Sequence, residues 1–501
     1  MSDQNMPDEK RRKGPAAHAI GGGLWVMVER IVSQACQVVV FIVAARLLGP
    51  AEFGAFALVA ACSILLMRVA EGGWAPYILA WPGDSTVPQQ VLLVAILSGV
   101  LASVLGAVAG SGLPLFGVST QTTILVVLFA GWVSLAVTSS TQKAILIWMG
   151  RLRAASLAEI CGDLAGLVVS LVALYSGQGV FSLVYGRLAF QVVQLLVSFS
   201  VTRLPPLPGL RGDDFRRMLH MSGQFFAARM IFNLRIYAAT FMIGAFLGPA
   251  AVGFYRAAER LTGAVAEVVG VPTTTLGWNL FREARAADEG GTGGFQKVAN
   301  VFFPVLVAVA VPLFAWLAIM GDDIVHSLLG PEWLPMLQVL QILALARLLT
   351  LVSYASEPIM SLAGRVDLLP RIALMFLGIT VVCVLATAPI GLVPLAWAEV
   401  FVAFAAAINT IYCAHRFADI EWGGIFRHWL RLSLSITVGV LSLYLLKQSP
   451  LLDGINPFAR AVALSLPAVL AYAAALAVFE SELRQAVSAR LAHRLHFKRE
   501  S

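Results

Sequence analysis

The sequence predicts an all-α, polytopic membrane protein with about 14 transmembrane helices, built as two like-oriented six-helix bundles plus two extra C-terminal helices. Three observations carry that prediction. The 501 residues are 59% hydrophobic and only 13% charged, about half the charge that covers a soluble domain. The apolar residues fall in runs near the ~20 residues that a spanning helix needs, without the period-2 alternation of a barrel strand. The stretch LLGPAEFGAF at 47–56 returns as FLGPAAVGFY at 246–255, with no gap between the copies.

The elements follow in order. Residues 1–20 read as a polar cytoplasmic tail. It is too long for a signal-peptide n-region, and the apolar segment after it is of full spanning length and carries Glu29 and Arg30, so the first helix is expected to be retained. The expected spans are 24–46, 54–80, 91–114, 119–142, 155–176 and 179–202 in an N-terminal bundle covering 21–202. A cytoplasmic amphipathic linker fills 203–222, where Leu210, Phe215, Met218 and Leu219 oppose Arg211, Asp213, Asp214, Arg216 and Arg217. The C-terminal bundle, 223–415, takes the spans 223–247, 252–280, 298–320, 336–361, 368–388 and 391–413. Two further helices, 426–446 and 457–479, lie in 416–479 and resemble an appendage. In the basic tail, 480–501, leucine or valine recurs every four residues at Leu483, Val487, Leu491 and Leu495, which fits a helix lying on a membrane surface.

Loop charge sets the orientation. With the N-terminus inside, the only loop lysines and arginines left outside are Arg46, Lys447 and Arg460. Positive residues favour the cytoplasmic side, so both ends are expected in the cytoplasm. The formal net charge of +7 suits anionic lipid headgroups, and no basic run is interleaved with aromatics as nucleic-acid binding would require. The five cysteines lie in apolar stretches without metal spacing and read as packing residues. Trp25, Trp74, Trp81, Trp333, Trp422 and Trp429 fall at span ends, as an interfacial belt would.

The repeat extends outward from its Gly-Pro centre. An offset of 199 residues, from Gly49 to Gly248, also carries Arg30 onto Arg229 and Gln34 onto Asn233. Both copies begin inside and run outward, so the halves share one orientation and are related about the membrane normal. Locally, Pro ends a helix by removing a donor and Gly permits the turn. Leu329-Gly330-Pro331 shows that the tripeptide also serves as a plain helix breaker. Two halves that face each other enclose a cleft, and rocking them would expose it alternately to each side.

Charges inside spans are costly, about 2.5–3.5 kcal/mol each on insertion scales, and mark functional positions. The bases so placed are all arginine: Arg30, Arg68, Arg187, Arg229, Arg235, Arg256, Arg260 and Arg347. At about 1.5 Å per residue, Arg30 and Arg229 lie roughly 9 Å from the cytoplasmic end and Arg235 roughly 18 Å. The arginines of the first, second, seventh and eighth spans are the expected lining of the cleft. Guanidinium grips phosphate through paired donors. Arg68 and Glu71, at i,i+3, can also simply neutralise each other. Glu159 and Asp163 share a face and are candidates to carry a proton or Na⁺, with pairing to Arg187 as the structural alternative. Pairing with Arg347 is the structural account of Glu357. No P-loop, HExxH or Ser/His/Asp cluster is present, so no enzyme and no cofactor is expected.

LWVMVERIVSQACQVVVFIVAARLLGPAEFGAFALV, at 24–59, resembles the amino-terminal signature of bacterial polysaccharide transporters, the Wzx-type lipid-linked oligosaccharide flippases. GFYRAAERLTGAVAEVVGVPTTTLGWNLF, at 253–281, and LLGPEWLPMLQVLQILAL, at 328–345, resemble later spans of the same group. Its superfamily also holds MATE exporters and the lipid II flippase. The resemblance implies a flippase that moves a polyprenyl-diphosphate-linked oligosaccharide from the cytoplasmic to the periplasmic leaflet of the inner membrane. The product would feed polysaccharide synthesis (exopolysaccharide, O-antigen or capsule) through a polymerase and export proteins. The resemblance assigns diphosphate binding to Arg30 and, by repeat, Arg229, with Arg68, Arg235, Arg256 and Arg260 in support. A MATE-like cation-coupled exporter of small molecules is the alternative, and it would want an acid-lined cavity. A polyprenyl-sugar polymerase or ligase is a third reading, and it would want a large external loop.

Overall fold

A computed structural model describes residues 15–209, 212–288, 291–449 and 454–479. The 480–501 tail and most of the 1–20 tail lie outside the described residues. All regular elements among the described residues are helical. The chain forms two compact units, Met1–Tyr237 and Ala238–Ser501.

The first unit opens with α1 (Pro15–Glu71), followed by α2 (Trp74–Ala80), α3 (Thr86–Ser111), α4 (Thr120–Trp148), α5 (Leu152–Tyr175) and α6 (Phe181–Thr202). It also takes the first part of α7 (Gly212–Leu247). α1 bends at Gly49, whose φ of 69° and ψ of 171° interrupt the helix before Pro50. Its apolar part, Trp25–Glu71, runs 47 residues, enough for the two expected crossings. Helix-turn packing leaves Leu97, Leu101, Val104, Leu105 and Val108 of α3 exposed on one face, which is the face lipid would cover. Ile78, Val91, Leu92, Leu125, Phe129, Val133 and Val184 form the interior, and Met218 of α7 joins them. The expected amphipathic segment therefore continues from Gly212 without a break into the seventh span, with Met218 fully buried rather than lying on a surface.

The second unit holds α8 (Pro249–Ala287), α9 (Phe295–Ile319), α10 (Gly321–Leu328), α11 (Leu337–Thr350), α12 (Ser356–Leu362), α13 (Leu368–Thr387), α14 (Leu392–Ala418), α15 (Trp422–Gln448) and α16 (Pro457–Phe479). Gly248 repeats the Gly49 geometry with φ 83° and ψ 178°, again ahead of a Pro. Gly330 does so as well, at φ 110° and ψ 170°. Among the described residues, the Gly-Pro turn is therefore a local device used three times. Phe281, Phe295, Phe303, Phe314 and Ile359 centre the interior. The extra helices are packed in rather than appended: Trp422 of α15 lies 4.8 Å from Phe303 of α9, ring to ring, and Tyr472 of α16 donates to the Ala308 carbonyl at 2.7 Å.

Twelve described helices are long and apolar enough to cross a membrane. The expected fourteen are reached because Trp25–Glu71 holds two crossings and because α8, outside that set, is 39 residues long, enough for a further one. Trp74, Trp333 and Trp422 are corrected from belt to core, at 7%, 1% and 7% exposure.

Candidate functional site

Two polar clusters lie inside the first unit. The first centres on Glu71, at the end of α1. Gly72 and Gly73 break the chain directly after it with φ of 53° and 86°. A Cβ on Gly73 would sit 2.6 Å from the Ser222 carbonyl oxygen, so only glycine lets α7 seat here. Ser222 donates to the Gly73 carbonyl at 3.2 Å. Two turns along α7, Arg229 reaches the Glu71 carboxylate at 3.1 Å, while Arg68 reaches its other oxygen at 2.5 Å. Ser140 of α4 donates to Glu71 at 2.6 Å. The carboxylate is 3% exposed, against 30% for Arg68 and 45% for Arg229. Two guanidiniums on one carboxylate leave an excess positive charge with a partly wet face. That arrangement suits an anion with several oxygens.

The second cluster joins α1, α4, α5 and α6. The helices α5 and α6 approach closely: a Cβ on Gly166 would meet the Gly186 carbonyl at 2.9 Å. Small residues allow such contact inside a membrane, and it brings Gln194 to Glu159. The ammonium of Lys143 lies 2.9 Å from Glu29 and 2.7 Å from Glu159. Gln194 donates to the same Glu159 oxygen at 2.7 Å and accepts from Ser139. Ser33 donates to Asp163.

In the second unit, Arg256 meets Glu259 at 2.6 Å, and Arg347 approaches the other oxygen of that acid at 3.8 Å. Arg260 stands one turn beyond Arg256 on α8, half-buried. Arg30 and Arg235 are exposed and form no ion pair among the described residues. Of the six expected binding arginines, then, Arg68 and Arg229 are brought onto one group, Arg256 shares its acid with Arg347, Arg260 stands half-buried one turn away, and Arg30 and Arg235 stand apart.

Two expected pairings are corrected. Glu159 takes Lys143 rather than Arg187, whose guanidinium lies 5.6 Å from the Phe56 ring centroid and 5.7 Å from those of Phe129 and Trp132. Arg347 takes Glu259 rather than Glu357, which is exposed. Sequence reasoning missed Lys143 because it ended the fourth span at residue 142. The helix continues to Trp148, and an unbroken TQKAILIW without Gly or Pro is the signal that could have extended it.

The matching family model, that of a polysaccharide biosynthesis protein, covers residues 43–338, more than half of the chain. No curated protein matches the sequence. Among solved structures, the lipid II flippase MurJ in an inward closed conformation superposes with a TM-score of 0.68 at 12% identity, covering 93% of this chain and 99% of its own. An inward-facing multidrug resistance MATE transporter of the MOP superfamily gives 0.61 at 15%, covering 79% and 95%. A MOP superfamily transporter from Pyrococcus furiosus gives 0.53 at 16%, covering 81% and 95%. These likenesses carry the fold, which is one of transporters and flippases. The chain is a multi-pass membrane protein that belongs to the polysaccharide biosynthesis protein family.

Proposed function

We propose that the chain is a flippase moving a polyprenyl-diphosphate-linked oligosaccharide from the cytoplasmic to the periplasmic leaflet of the inner membrane by alternating access. The observation that carries this reading is the convergence of Arg68 and Arg229, from α1 and α7, on the single buried carboxylate of Glu71. An incoming diphosphate presents more charge and more oxygens than Glu71 and takes the guanidiniums from it. Arg30, Arg235, Arg256 and Arg260 meet the substrate at other stages of its passage. Two like-oriented halves, spanning 21–202 and 223–415, would carry the movement, with both termini cytoplasmic. The product goes to a polymerase and export proteins.

The test is Arg68→Ala combined with Arg229→Ala, alongside Arg30→Ala combined with Arg229→Ala. Surface polysaccharide should disappear while membrane insertion is retained. Normal polymer in both double variants overturns the assignment. The acids Glu29, Glu159 and Asp163, gathered in one cluster, are the observation that would suit a small-molecule exporter, with H⁺ as the coupling ion. Binding of farnesyl diphosphate against binding of a soluble organic cation separates the two readings.

A further inference from the structure

Lys143 sits where a free cation would. Its ammonium touches carboxylate oxygens from two different helices, Glu29 of α1 at 2.9 Å and Glu159 of α5 at 2.7 Å. An ammonium has three donors and no acceptor, and two of them are used on these acids. Glu29 and Glu159 are each 15% exposed, and Lys143 is 32% exposed. A carboxylate so placed is costly without a counter-charge, and Lys143 supplies one to both. The surroundings are richer in polar atoms than a lysine needs. Gln194 adds an amide to the Glu159 oxygen, and Ser33 with Asp163 stands one turn along the same helices. Gln142, adjacent to Lys143 on α4, is fully buried with both amide atoms unpartnered among the described residues. Ser156, one turn before Glu159 on α5, is 1% exposed with its hydroxyl likewise unpartnered.

We propose that Lys143 is a tethered cation filling a monovalent-cation position between Glu29 and Glu159, and that it closes this site to sodium. A side-chain ammonium arrives with no translational entropy to lose, whereas a free ion loses it on binding. Free sodium therefore does not displace it, and the residue at position 143 decides which cation the acids hold. The inference rests on the ion-pair geometry and not on the identity of the cargo.

The experiment uses the purified full-length chain in detergent, with Tm followed in NaCl and in choline chloride at matched ionic strength. The wild type should give equal Tm in the two salts. Lys143→Gln opens the position, and its Tm should rise with NaCl but not with choline chloride. Glu159→Gln added to Lys143→Gln should abolish that rise, and Lys143→Arg should match the wild type. A sodium-specific rise in the wild type as large as in Lys143→Gln overturns the proposal, as does a folded Lys143→Gln with no such rise. If Lys143→Gln does not fold, the double variant decides. Recovery of folding there, together with rescue of Lys143→Gln folding by NaCl but not by choline chloride, supports the proposal, and rescue by neither salt overturns it. No cargo enters the assay, so its outcome is independent of the polymer-export test.

Discussion

Glu71→Ala is the sharpest test of how the first unit is held together. The substitution removes a carboxylate that accepts from Arg68 at 2.5 Å, Ser140 at 2.6 Å and Arg229 at 3.1 Å. A hydrogen bond to a charged group contributes about 1.5–3 kcal/mol, and removing one partner of a buried ion pair costs about 3–5 kcal/mol. Here the partners left behind are 30% and 45% exposed, so both guanidiniums regain water and the lower end applies. The expected loss is about 3 kcal/mol. At about 2–4 °C per kcal/mol for a unit of this size, Tm should fall by about 6–12 °C. Glu71→Gln keeps an acceptor for Ser140 and one guanidinium and should lose about half as much. A double-mutant cycle should give a larger coupling of Glu71 to Arg68 than to Arg229, the latter no more than about 1 kcal/mol. Thermal unfolding of the purified chain reads all of these. A Glu71→Ala protein within about 0.5 kcal/mol of wild type, the range of an inert surface change, refutes the reasoning.

Three more outcomes follow from the packing within the two units. Gly73→Ala puts a Cβ 2.6 Å from the Ser222 carbonyl at φ 86°, whereas Gly117→Ala, at φ 76°, meets nothing within 4 Å. The second should cost only the left-handed penalty, about 1–2 kcal/mol, and the first measurably more in the same unfolding assay. Trp422→Ala should cost about 3–5 kcal/mol by emptying the space against Phe303, and limited proteolysis should then cut between α14 and α15. Asp323, in α10, has its carboxyl pushed up by burial and next by Asp322, against the pull of Lys447, Arg460 and His326. An acid raised in the folded state favours folding only below its unfolded value of about 3.9 and loses that contribution as pH rises. Asp323→Asn should therefore unfold at a higher temperature than wild type near neutral pH, and the gap should close below about pH 4 in a Tm-against-pH series.

The sequence by itself determined the class. Apolar run length is a one-dimensional quantity matched to bilayer thickness, so the all-helical, many-span architecture needed no contacts to be read. The Gly-Pro turns were equally local, since a residue without Cβ followed by one without N–H dictates the bend at Gly49 and Gly248 wherever the chain goes. Arg68 and Glu71 were legible as a pair because helical spacing alone brings i and i+3 together. What tertiary structure decided was the choice among partners. Glu71 takes a second arginine from α7 because Gly73 admits Ser222, and Glu159 takes Lys143 instead of Arg187 because close α5–α6 packing and six further residues of α4 set the distances. Trp74, Trp333 and Trp422 went inside for the same reason. Charge and hydropathy say that a side chain must be compensated or covered, and only packing in three dimensions says by what.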